Sequence, residues 1–189
     1  MKNVTKVWDL PIRLFHWLLV IGFFVAYFTE EDFLTPHVWA GYLVFGLLVF
    51  RLLWGFIGNR YARFSSFLCS PVQSIAYLKN LIHGKPERYL GHNPAGAAMI
   101  VLLLLSLLIT TVTGFAVYAL EEQSGPLVGV ITQNEDFWEE THEFFANFTV
   151  FLVILHVGGV IAESRRHKEN LIKAMFSGYK RADDETHNP

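Results

Sequence analysis

The sequence predicts an all-α membrane protein: a bundle of four transmembrane helices, with an interfacial helix on the cytoplasmic side between spans two and three. Three observations predict it. Only 17% of the 189 residues are charged, against about a quarter in an ordinary soluble domain. The deficit sits in four runs, residues 14–29, 33–50, 90–120 and 144–162, which contain no Asp, Glu, Lys or Arg. All 15 Lys and Arg fall outside them, within residues 2–13, 51–88 and 165–181. A span needs about 20 mostly apolar residues, fewer where flanking side chains snorkel. Four such runs in one small chain leave too little polar surface to cover them in water.

The first run opens beside Arg13, which can snorkel. It reads as a retained span, because it carries Arg13 and His16 in its first turns and lacks a small-x-small cleavage site before "TEED". The second begins near Thr35-Pro36 and ends at Arg51. Residues 51–93 are too many for a turn. Within them "SPVQSIAYLKNLIHG" reads as a helix with Ser70 as N-cap, Pro71 at the first helical position and Gly84 as the stop. Its stripe of Val72, Ile75, Tyr77, Leu78, Leu81 and Ile82 suits a helix lying along the inner leaflet. Span three starts at Pro94, and span four follows a long acidic segment, "LEEQSGPLVGVITQNEDFWEETHE". One transmembrane domain is expected over residues 1–178, followed by a polar, disordered tail over 179–189. The single Cys69 excludes an internal disulfide and a cysteine metal cluster.

Charge sets the orientation. With four spans, the three cationic stretches are the N-terminus, the second loop and the C-terminus, all on one side, which the positive-inside rule makes the cytoplasm. The opposite loops hold no Lys or Arg and carry Glu30, Glu31, Asp32, Glu121, Glu122, Glu135, Asp136, Glu139, Glu140 and Glu143. Trp8, Trp17, Trp54 and Trp138 fall near span ends, where interface anchors belong.

Four histidines can then be placed by depth. In "HEFFANFTVFLVILH", His142 and His156 are fourteen residues apart, just under four helical turns, so they share a face at depths differing by about 21 Å. With a hydrocarbon core of roughly 30 Å, His156 lies about 9 Å above the cytoplasmic boundary. His16, climbing from that boundary on span one, lies roughly 6–9 Å deep. His37 opens span two at the outer boundary, level with His142. Two level pairs result: His16 with His156, and His37 with His142. Ionisable groups inside spans are rare and usually functional. Facing imidazoles in an apolar bundle suit the two axial positions of a haem iron. Zinc, which needs four converging ligands, suits pairs about 20 Å apart less well. Gly22, Gly41, Gly46, Gly114, Gly158 and Gly159 offer room for a macrocycle, and Arg13 and Arg51 are candidate propionate partners. His92, in "GHNPAG" before span three, is placed to contact a propionate or line a pocket. His83, His167 and His187 fall in loops or tail and are expected to be solvated.

The stretches "VWDLPIRLFHW" and "YLKNLIHGKPERYLGHNPAGAAM", with the two histidines fourteen apart on the last span, resemble the bacterial cytochrome b561 / nickel-iron hydrogenase b-type cytochrome family. The resemblance runs from Val7 to about Gly178. It implies a four-helix inner-membrane cytochrome with two haem b groups, ligated by His16 and His156 on the inner side and by His37 and His142 on the outer. It also implies electron exchange between quinone and a periplasmic partner, either a c-type cytochrome or a hydrogenase-like subunit. Some family members instead oxidise superoxide and reduce quinone. The ten outer acids would repel that anion and attract a basic protein, which favours a cationic partner. A non-redox membrane or transport subunit is the reading from another class; it would bind no haem and would tolerate loss of His16 and His156.

Overall fold

The computed structural model describes residues 4–30, 33–84 and 87–182. The expectations for Glu31, Asp32, His187 and most of the tail over 179–189 fall on residues outside that set. In chain order the elements are β1 (Val4–Lys6), α1 (Leu10–Phe28), α2 (Leu34–Ile57), α3 (Pro71–Ile82), α4 (Pro94–Glu121), α5 (Glu135–Arg166), α6 (Leu171–Ser177) and β2 (Tyr179–Arg181). The helices α1, α2, α4 and α5 are each long and apolar enough to cross a membrane. The shorter α3 lies between spans two and three, as the sequence predicts.

Local chemistry explains the helix limits. Asp9 caps α1, its Oδ1 accepting from Ile12 N at 3.0 Å. α3 begins with a full capping box: Ser70 Oγ accepts from Gln73 N, and the Gln73 side chain accepts from Ser70 N. Gly84, with φ +82°, ends it. α5 starts earlier than its apolar run, because Glu135 and Asp136 in its first turn complement the helix dipole. Residues 135–141, read from the sequence as part of the outer loop, are therefore helical, extending outward the helix that carries His142.

The chain divides into two compact units. One contains the described residues within 1–17, 50–101 and 154–189. Its apolar core is Val7, Trp8, Ile12 and Ala62, with Trp54, Tyr61 and Met175 packed against it. β1 and β2 form an antiparallel ribbon here, pairing Val4 with Arg181 and Lys6 with Tyr179. Strand β2 thus uses residues assigned by sequence to a disordered tail. Gly178 makes the junction: its φ is +88°, and its carbonyl accepts from Val7 N at 2.9 Å and Trp8 N at 3.1 Å. A β-carbon there would come within 2.6 Å of the Trp8 carbonyl oxygen.

The second unit comprises residues 18–49 and 102–153. Its core is Phe23, Val44, Leu48 and Leu107. Gly22 belongs to this packing, since a β-carbon on it would meet Val44 at 3.3 Å. It brings α1 close to α2 rather than making room for a cofactor. A buried polar contact joins α4 to α5, where Ser106 Oγ and Thr149 Oγ1 lie 2.7 Å apart.

Candidate functional site

In the second unit the structure brings His37 and His142 together. Their ring centres are 6.0 Å apart with planes at 80°. His37 stands in the first turn of α2, and its Nδ1 donates to the Ala26 carbonyl at 2.9 Å, in the last turn of α1, where carbonyls lack a full set of helical partners. His142 Nδ1 donates to the Thr110 carbonyl at 2.8 Å, with Thr113 Oγ1 at 3.4 Å. A carbonyl oxygen can only accept, so each Nδ1 carries the hydrogen. With Nδ1 so engaged, each ring presents Nε2 as its nitrogen available for a ligand bond.

Gly114 makes this placement possible. A β-carbon on it would come within 2.8 Å of His142 Cε1 and 3.1 Å of its Nδ1. The imidazole therefore lies directly on the α4 backbone, within reach of the Thr110 carbonyl. The "TTVTG" cluster inside an otherwise aliphatic span is the sequence signal of this contact.

The two rings border a cleft also lined by Phe23, Tyr27, Glu30, Gly41, Phe115 and Tyr118, with about 660 Å³ free of protein atoms, part of it open to solvent. Gly41, one turn after His37, faces open space: a β-carbon there would meet nothing within 4 Å. An imidazole nitrogen binds a metal at about 2 Å and lies roughly 1.1 Å from its ring centre, so two rings sharing one ion from opposite sides have centres about 6 Å apart. The observed spacing fits that arrangement, and Gly41 leaves a cradle that a side chain would fill. Among the described residues no three His, Cys, Asp or Glu side chains converge on a metal position.

The first unit holds His16, His156, Arg13, Arg51 and His92. His16 meets Trp17 edge-on at 4.9 Å, and Trp17 stacks on Phe176 at 4.2 Å. Among the described residues His16 and His156 make no ring contact of the kind joining His37 to His142. His92 lies between Trp8 at 4.6 Å and Phe67 at 4.8 Å. Trp8 is thus a core residue packed on an imidazole, not the interface anchor its position predicts. Trp54, another expected anchor, donates from Nε1 to Asp9 Oδ2 at 3.1 Å. Burial holds His92 down to about 3, helped by the charge of Arg51, then Lys180, then His156. It stays neutral.

Arg51 is only 4% exposed, with its guanidinium 4.6 Å above the Phe64 ring. Among the described residues, buried Arg13 Nε, His16 Nδ1, Trp17 Nε1, Arg51 Nη1 and His92 Nδ1 have no hydrogen-bond partner. A buried polar atom without a partner is costly, so this unit has donor capacity that its own side chains do not use. An anionic, hydrogen-bond-accepting group fits it.

His83 is exposed, its Nδ1 donating to the Lys79 carbonyl at 2.7 Å. His167 is not simply solvated, because its Nε2 lies 3.1 Å from Glu163 Oε2.

Residues 7–178 match the family model for prokaryotic cytochrome b561. A probable Ni/Fe-hydrogenase B-type cytochrome subunit of Cupriavidus necator is 29% identical, over 94% of this chain and 87% of its own length. The like-named subunit of Azotobacter vinelandii is 26% identical, over 97% and 91%. The probable Ni/Fe-hydrogenase 1 B-type cytochrome subunit of Escherichia coli K12 is 25% identical, over 92% and 89%. No solved structure matches.

Proposed function

Since the chain belongs to the prokaryotic cytochrome b561 family, and is a multi-pass membrane b-type cytochrome, we propose that it carries electrons between membrane quinone and a periplasmic redox partner. Haem b, when bound, supplies one-electron chemistry. The observation that carries the reading is the His37–His142 pair, 6.0 Å apart, each ring fixed through Nδ1 with Nε2 left to bind iron. These two would hold one haem, and His16 with His156 would hold a second.

The chain's own residues do the rest. The Ala26 and Thr110 carbonyls hold the outer imidazoles in one tautomer and orientation, raising their basicity as ligands. Arg13, Arg51 and His92 present unused donors for the propionates of the inner haem. Both termini lie in the cytoplasm of a bacterial inner membrane, by the distribution of cations.

The relatives are hydrogenase cytochrome subunits by name, so a Ni/Fe-hydrogenase is the first partner to test, with a basic c-type cytochrome second. The exposed acids Glu121, Glu122, Glu139, Glu140 and Glu143 favour a cationic docking surface over capture of superoxide.

The test is the reduced-minus-oxidised spectrum and haem-to-protein ratio of the detergent-purified chain, compared with His37→Ala and His16→Ala. Two b haems in the wild type, with each variant losing or perturbing a different one, supports the ligand assignment. Folded protein without haem overturns it.

A further inference from the structure

Glu163 is a carboxylate that the proposed electron path does not use. It is 9% exposed. Tyr77 donates to Oε1 at 2.8 Å, and His167 Nε2 lies at ion-pair distance, 3.1 Å, from Oε2 without the alignment of a hydrogen bond. All three residues belong to one unit. Seven residues separate Glu163 from His156, almost two turns, so they share a face of α5 about 10 Å apart along the axis.

The chain of polar groups continues in both directions. The Tyr77 hydroxyl is faced by the Asn93 side chain, next in sequence to His92, whose buried Nδ1 has no partner among the described residues and which lies within electrostatic reach of His156. In the other direction His167, with its side chain 18% exposed, reaches water. Burial and the neighbouring carboxylate push the Tyr77 hydroxyl well above the usual tyrosine range, so it remains a donor. The charged and titratable groups facing Glu163 are His167 on the following turn, Tyr77 on α3 with Tyr89 against its ring, and Lys180 on β2, whose charge is felt by the same cluster.

We propose that His167, Glu163 and Tyr77 form a proton relay between cytoplasmic water and a quinone seated beside His92 and Asn93. This rests on the quinone reading above. Reduction of a quinone takes up two electrons, from the redox partner, and two protons. For each proton, His167 passes one to the Glu163 carboxylate, Glu163 passes it to the Tyr77 oxygen, and Tyr77 releases its own hydrogen toward the quinone oxygen. Oxidation of a quinol runs the same hops backward and returns both protons to water. Glu163 thus stands between the Tyr77 hydroxyl, to which it is hydrogen-bonded, and the His167 imidazole at ion-pair distance.

The test uses the full haem-loaded chain in phosphatidylcholine vesicles with a short-chain quinol as reductant. Haem reduction is followed across pH for the wild type, Glu163→Gln, Glu163→Asp and Tyr77→Phe, with dithionite reduction and haem content measured alongside. The expected result is a quinol-driven rate lowered about a hundredfold in Glu163→Gln, with its pH profile flattened. Glu163→Asp should restore part of the rate, and Tyr77→Phe should fall between. Haem content and dithionite reduction should stay at wild-type values. Redox-induced infrared difference spectra should show a carboxyl band that Glu163→Gln removes. Wild-type rates and pH profiles in Glu163→Gln overturn the relay. Should that variant not fold, an unchanged profile in Tyr77→Phe and Glu163→Asp overturns it equally. A wild type reduced by dithionite but not by quinol overturns the quinone reading itself.

Discussion

The imidazole of His142 occupies the space where residue 114 would carry a side chain: a β-carbon on Gly114 would come within 2.8 Å of His142 Cε1. The contact couples a ligand candidate on α5 to the backbone of α4. Gly114→Val should therefore push the ring off the Thr110 carbonyl and remove the haem of that site while sparing the other. Spectra and haem content of the purified variant check this. Gly114→Ala should retain haem at lower affinity, because outer-shell changes typically cost about 10–100-fold.

Ser106 and Thr149 are unequal partners in the α4–α5 contact. Thr149 Oγ1 also donates to the Phe145 carbonyl at 2.7 Å, whereas Ser106 Oγ reaches that carbonyl only at 3.5 Å. Ser106→Ala should cost about 0.6 kcal/mol, the average for interhelical polar contacts in membranes. Thr149→Val leaves the Ser106 hydroxyl poorly satisfied and should cost about 1–3 kcal/mol. Chemical unfolding in mixed micelles separates the two.

Lys180 gives stability a pH dependence at the alkaline end. It is 7% exposed and donates to the Tyr89 carbonyl at 3.1 Å. Burial lowers its pKa from 10.5 to about 8, against the attraction of Glu169. Between those values the unfolded chain binds the proton that the folded chain has released, so stability rises with pH through that window and is flat below it. In Lys180→Met this component should vanish. The difference between wild-type and variant unfolding temperatures across pH measures it.

Glu169 acts at the acid end. It pairs with Arg88 at 3.1 Å and accepts from Arg181 N at 2.6 Å. The Arg181 amide and the charges of Lys180 and Arg88 outweigh its burial and hold its pKa below the usual 4.5. Its contribution is present above that value and lost as pH falls through the lower folded pKa. Glu169→Gln should remove that acid-side loss in the same unfolding series.

Docking should depend on salt. The acids of residues 121–143 lie on exposed positions, and charges separated by more than about 8 Å are screened at physiological ionic strength. Glu139→Lys with Glu140→Lys should slow association with a basic redox partner about tenfold at low salt, and less at high salt. Stopped-flow mixing at several ionic strengths reads it.

Much of this was legible in the sequence, for identifiable reasons. Apolar runs interrupted by segregated cations define spans whatever the tertiary packing, and Ser70, Pro71 and Gly84 bound α3 by local backbone chemistry alone. Depth along a helix follows from residue count, which is why His37 could be set level with His142. Other features depend on contacts between distant segments. Gly114 serves His142 only because α4 meets α5 there, and Trp8 is buried because Val7, Ile12, Ala62 and His92, from separate segments, close around it. β1 and β2 are three residues each, too short to show a period. Glu163 reads as one more charge at a span end until Tyr77 and His167 are seen on its two oxygens.

The ribbon of β1 and β2 has a consequence for biosynthesis. Val4 precedes all four spans and Arg181 follows them, so the first strand has no pairing partner until the last span has been inserted and the chain beyond it has emerged. Closure of the ribbon thus reports complete insertion. A chain stalled after three spans would hold β1 as an open edge, free to pair with another protein or to be recognised for degradation.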